Sequence, residues 1–186
     1  MSLPTMIIDL MNAARQESPE ENVRLEQTHI SFVIIGSRVV YKIKKPVHFG
    51  FLDFSTLEKR FFYCKQELEL NRRLSPQLYL DVVEVRRRDE KYFFGGSGET
   101  VDYAVKMKRI PEERMMLHLL KEGKLETEMI DRVAERIAIF HSRARHGEKI
   151  AAFGEPRMIV RNVEENFSQT RKYIGRSISR KQYDAI

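Results

Sequence analysis

Three charged side chains stand out by their spacing. Glu67 has Tyr63 four residues before it, Leu70 three after and Leu74 seven after, so a helix here sets a carboxylate into an otherwise apolar stripe. A carboxylate in such a stripe is costly unless a cation meets it. Upstream, Arg38-Val39-Val40-Tyr41-Lys42-Ile43-Lys44-Lys45 reads as a strand, and Lys42 and Lys44, two apart, fall on one of its faces. A strand lysine steadied by a helix carboxylate can hold a phosphate as a point charge. Two plainer readings stay open from spacing alone: a simple ion pair, or a Glu67 that reaches out to solvent.

The elements that must position these residues follow from periodicity and punctuation. Val23 to Lys45 alternates apolar and polar residues, and Gly36-Ser37 is a good two-residue turn, so Ile30–Ile35 and Arg38–Lys44 are expected to form a hairpin that Pro46 ends. His48-Phe49-Gly50-Phe51-Leu52-Asp53-Phe54 is aromatic enough to pack down on that sheet. Ser55-Thr56-Leu57-Glu58 predicts a capping box with Ser55 as N-cap, opening a helix to about Leu74 with Leu57, Phe61, Cys64 and Leu68 on one stripe. Leu80–Arg88, Lys91–Phe94 and Val101–Lys108 read as further strands. Before all of these, residues 4–16 predict a helix that Ser18-Pro19-Glu20-Glu21-Asn22 breaks. After Pro111 the period becomes helical: Glu113–Lys121, Glu126–Arg143 with Ile130, Val133, Ile137 and Phe140 recurring, and Val163–Tyr173. The expected organisation is an α+β arrangement: a helix and linker at 1–22, an antiparallel sheet with one long helix at 23–110, and a helical region at 111–186.

Composition narrows the classes. A hydrophobic fraction of 42% with 11 Phe supports a true core rather than a disordered chain. No apolar run reaches the roughly 18 residues of a membrane span, and Asp9 interrupts the only apolar run near the N-terminus, so no membrane role and a cytoplasmic setting are expected. The single cysteine, Cys64, cannot close an internal disulfide. His29, His48, His118 and His141 have no ligand partners at usable spacing, so no metal site is expected of them, and His141 reads as a core or cap residue. Residues 157–186 carry seven Lys/Arg against three Asp/Glu. With only Phe167, Tyr173 and Tyr183 among them, a solvated helix face is favoured over a nucleic-acid surface.

Several stretches together resemble a known family. Thr28-His29-Ile30-Ser31, Tyr41-Lys42-Ile43-Lys44-Lys45-Pro46-Val47, Phe49-Gly50-Phe51-Leu52-Asp53-Phe54-Ser55-Thr56-Leu57-Glu58 and Leu70-Asn71-Arg72-Arg73-Leu74 carry the likeness. Tyr103-Ala104-Val105-Lys106-Met107-Lys108-Arg109-Ile110-Pro111 and Ile137-Ala138-Ile139-Phe140-His141 add to it. The chain resembles the aminoglycoside-phosphotransferase-like branch of the protein-kinase-like fold, over roughly residues 22–170. The match is to a bacterial group in which such a domain precedes a P-loop ATPase or kinase domain. The resemblance implies a kinase-like N-lobe and the first helices of a truncated C-lobe. It implies that ATP is bound with Lys42, or alternatively Lys44, at its phosphates and Glu67 as the helix acid. Adenine would then meet the backbone of Lys108, Arg109 and Ile110, with Met107 behind it; Met107 reads equally well as plain core.

Two departures from the family stand out. Glu26-Gln27-Thr28-His29-Ile30-Ser31 contains no glycine where a Gly-rich phosphate loop belongs, leaving Thr28 and Ser31 hydroxyls or backbone as substitutes. The family's catalytic loop needs a His-Gly-Asp-type base, an Asn five residues after the Asp and a later metal-binding Asp. The nearest tripeptide is His146-Gly147-Glu148, five residues before Phe153, and the only Asp after Asp131 is Asp184. The expectation is therefore an ATP-binding portion of a small-molecule phosphotransferase, with its base and Mg ligands beyond Ile186 and an unknown acceptor. The alternatives are a non-catalytic nucleotide-binding or regulatory module and, less favoured, a basic nucleic-acid-binding module.

Overall fold

A computed structural model describes residues 3–16 and 23–185; the break expected at Ser18–Asn22 lies outside them. The alternating stretch at the start becomes three strands, β1 (Arg24–Gln27), β2 (Ser31–Ile35) and β3 (Val39–Lys44), because a second turn at Thr28–Ser31 divides it. A small hairpin follows, β4 (His48–Phe49) and β5 (Leu52–Asp53), then helix α2 (Leu57–Arg72). Three long strands complete the sheet: β6 (Tyr79–Arg88), β7 (Lys91–Phe94) and β8 (Glu99–Lys108). The six-stranded sheet runs in the order β1-β2-β3-β8-β6-β7, antiparallel throughout. The mixed α+β class is as the periodicities imply.

The chain divides into two units, Met1–Leu125 and Glu126–Ile186, so the division falls beyond the change of period near residue 110. Helix α1 (Thr5–Gln16), set apart in the sequence as a leading helix and linker, belongs to the core of the first unit. Its buried Ile7, Leu10 and Ala14 cluster with Phe32, Ile34, Tyr41, Ile43, Val85 and Ala104 of the sheet. Tyr41 stacks on Phe94 at 3.7 Å with the rings 12° from parallel. Alternation along β3 thus sends Tyr41 and Ile43 to the α1 side and leaves Lys42 and Lys44 for the other side. That other side is where α2 packs, against β6 and β8.

Three local expectations are corrected. The N-cap of α2 is Thr56, whose side chain accepts from Lys59 N, and not Ser55. Ser55 is drawn off by Asp53, whose Oδ1 accepts from its backbone N–H at 3.0 Å and its hydroxyl at 2.6 Å. The buried stripe of α2 is Arg60, Cys64 and Leu68; Phe61, expected on it, is exposed. In the aromatic loop only Phe54 packs down: Phe49 is 41% and Phe51 87% exposed, on the hairpin that Gly50 turns with φ +21°.

The first unit ends with a 3-10 turn (Glu112–Arg114) and α3 (Met116–Lys121). The second holds α4 (Thr127–Ser142), the short α5 (Glu148–Ala151), α6 (Pro156–Thr170) and α7 (Arg180–Asp184), whose capping box is Ser179 with Gln182. No described residue of these four helices is buried; Ile130, Val133, Ile137, Ile159 and Val163 are all exposed. Among the described residues no helix is long and apolar enough to cross a membrane.

Candidate functional site

The two strand lysines and the helix acid meet. Lys42 Nζ donates to Glu67 Oε1 at 2.8 Å, and Lys44 Nζ donates to Glu67 Oε2 at 2.7 Å. One carboxylate is therefore gripped by an ammonium at each oxygen, which the two-residue spacing on a strand allows. The side chains differ in access: Lys42 is 30% exposed, Glu67 14% and Lys44 only 5%. Lys44 also lies over the Phe54 ring, 4.7 Å from its centre, a contact that favours a cation. Burial pushes the Glu67 carboxyl up, but the hydrogen bonds and charges of the two lysines outweigh it and hold Glu67 below the usual carboxylate range.

A second ion pair anchors the same helix. Arg60 Nε donates to Asp102 Oδ1 at 2.8 Å, and its guanidinium also reaches the carbonyls of Phe54 and Ser55 at 3.2 and 3.4 Å. Here both side chains are sealed, 10% and 5% exposed. Burial raises the Asp102 carboxyl above its ordinary value, and Arg60 offsets only part of that. Sequence reasoning missed this pair. The available signal was Arg60 itself, seven residues before Glu67 and so on the same helix face. Between them Cys64 is fully buried, its thiol pushed up to about 12 chiefly by burial.

The expected adenine-binding stretch lies at the end of β8. Met107 is half-buried and opposite Val40, on the face where Val105 stands opposite Lys42, so it shares the sheet face of Lys42. Tyr79, opposite Met107, joins this neighbourhood: its hydroxyl is raised mainly by burial and also by the Glu67 charge. Of the trio Lys108, Arg109 and Ile110, the first two have committed their backbone N–H groups, to Leu78 O at 2.8 Å and Arg38 O at 2.9 Å. The Ile110 N–H has no backbone partner among the described residues. The Arg109 side chain reaches Gly36 O at 3.2 Å.

The turn before β2 is closed upon itself. Thr28 N donates to Ser31 O at 2.9 Å, while Thr28 Oγ accepts from Ser31 N at 2.9 Å and Ile30 N at 3.3 Å. Lys45 Nζ, which lies over the Phe32 ring, donates to Thr28 O at 2.7 Å. Ser31 is fully buried and its hydroxyl has no partner among the described residues. Neither hydroxyl takes the phosphate-facing place that the missing glycines suggested for it: Thr28 is spent on its own turn and Ser31 is closed off from solvent.

No family model matches the chain, and no solved structure matches it. Proteins of Mycobacterium tuberculosis and Mycobacterium bovis, each described as an uncharacterized protein, are 30% identical to it over 166 residues. The match takes in 89% of this chain and 32% of each relative, so the chain spans about a third of the length of the curated relatives it matches.

Proposed function

We propose that the sheet and α2 form the ATP-binding lobe of a kinase-like small-molecule phosphotransferase, of the aminoglycoside-phosphotransferase-like branch. The observation that carries this reading is the 2.8 Å contact between Lys42 and Glu67, with Lys42 left open to solvent. An ammonium has three donors, and Glu67 uses one of Lys42's, so two can turn to phosphate oxygens. The carboxylate fixes the ammonium before a ligand arrives, which lowers the cost of ordering it on binding. Met107 on the same sheet face and the Ile110 N–H offer an apolar wall and a donor for the adenine edge.

In this proposal the lobe binds and orients, and transfer itself needs groups supplied from outside these 186 residues. Among the described residues no three His, Cys, Asp or Glu side chains cluster as metal ligands, so no step is assigned to magnesium here. The base, the metal ligands, the acceptor site and an accompanying P-loop domain are proposed for the longer protein. The second reading, less favoured, is a lobe that binds nucleotide for regulation without turnover, and it is motivated by the lack of a His-Gly-Asp tripeptide in the sequence.

The test is a calorimetric titration of ATP into this chain and its Lys42→Met variant. One hydrogen bond to a charged group accounts for about 1.5–3 kcal/mol, so Lys42→Met is expected to weaken binding roughly ten- to a hundredfold. Equal affinity in the two proteins, or no binding by the wild type, overturns the proposal. Phosphoryl transfer by the longer protein that is lost in Lys42→Met separates the enzyme from the regulatory module.

A further inference from the structure

A single lysine–glutamate pair is electrically neutral, so an arriving anion meets a cation backed by a carboxylate that repels it. This chain departs from that arrangement. Glu67 receives Lys42 on one oxygen and Lys44 on the other, and two ammonium groups against one carboxylate leave the cluster with one net positive charge. The departure sits beside a second one: the Thr28–Ser31 turn spends the N–H groups of Thr28, Ile30 and Ser31 on itself. A turn so closed cannot offer those groups as a backbone cradle for phosphates. The positive charge facing a phosphate must then come from side chains.

The two lysines are not equivalent. Lys44 is sealed between Glu67 and the Phe54 ring, so an anion from solvent cannot reach it. Lys42 alone is open. We infer that Lys44 is a positioning residue that neutralises Glu67 from within the protein, leaving the charge of Lys42 for an anionic polyphosphate, the tail of a nucleoside triphosphate. This inference rests on the phosphate role proposed for Lys42. Lys44 touches no ligand; it decides how much of Lys42's charge a ligand meets.

Rescue distinguishes this from a structural role. Wild type, Lys42→Met, Lys44→Met and the double variant Lys44→Met/Glu67→Gln are titrated with ATP and with inorganic tripolyphosphate, alongside thermal unfolding of each. Lys44→Met is expected to weaken both ligands about tenfold, as Lys42 becomes the sole partner of a buried carboxylate. The double variant is expected to bind severalfold more tightly than Lys44→Met, because the amide of Glu67→Gln still accepts from Lys42 but leaves it no charge to neutralise. A double variant no tighter than Lys44→Met, or a Lys44→Met that binds like wild type, overturns the inference. If Lys44→Met does not fold, the double variant, free of the uncompensated carboxylate, decides: binding clearly tighter than that of Lys42→Met supports the inference and binding as weak as that of Lys42→Met overturns it. Unchanged affinity in Lys42→Met instead brings down the underlying phosphate reading, and loss in Lys42→Met alone brings down only the role of Lys44.

Discussion

Arg60 and Glu67 lie two turns apart on one face of α2, and each meets opposite charge from a neighbouring strand of the same sheet. The Arg60–Asp102 pair is closed on all sides, and its remaining guanidinium bonds go to the carbonyls of Phe54 and Ser55. The Glu67 cluster is sealed on the Lys44 side and open on the Lys42 side. Their titration differs in sign: burial dominates at Asp102 and raises it, whereas two lysines dominate at Glu67 and lower it. A sealed pair can only fix the helix on the sheet. An open one, held by a second cation from behind, has a donor to give to a ligand.

The largest expected effect falls on the sealed pair. Asp102→Ala leaves the Arg60 guanidinium buried without its carboxylate and should cost about 3–5 kcal/mol in urea denaturation. A loss near zero would put water where Asp102 stands and dissolve the contrast. Glu67→Ala strands two lysines, one of them partly solvated, and about 3 kcal/mol is expected, at the low end of the same range. Lys42→Met leaves Glu67 its Lys44 partner and removes only the half-open contact, so roughly 1 kcal/mol or less is expected. That ordering separates an anchor from a site.

Acid titration sharpens the contrast. A depressed carboxyl such as Glu67 contributes stability that is fully present above the ordinary value, about 4.3, and is lost as pH falls below that value and through its lower folded pKa. A raised carboxyl such as Asp102 works oppositely, since its burial costs stability above its folded pKa and the cost is relieved on acidification. Unfolding midpoints followed downward from pH 6 should therefore fall less steeply in Glu67→Gln than in wild type, and more steeply in Asp102→Asn. Parallel curves for all three proteins would mean that the two carboxyls do not differ.

The open cluster was legible in the sequence and the sealed pair was not, for a physical reason. Glu67 betrays itself locally, and Lys42 and Lys44 share a face by strand alternation alone. Pairing Arg60 with Asp102 needs the placement of α2 over β8, a contact across 42 residues of sequence. The Ser55 cap failed because Asp53, two residues earlier, competes for the same hydroxyl and amide. Helix α4 formed where its apolar period indicated, yet Ile130, Val133 and Ile137 are exposed where α1's Ile7 and Leu10 are fully buried. Periodicity names the face of a helix; it does not supply what covers that face.

Under the proposed function Lys42, and not Lys44, presents its amine to nucleotide phosphate. An acyl-phosphate derivative of ATP, which acylates the lysine held at its phosphates, followed by peptide mass mapping, reads this directly. The expected result is acylation at Lys42 that excess ATP suppresses, with Lys44 unmodified. Acylation of Lys44, or labelling that ATP leaves unchanged, would contradict it.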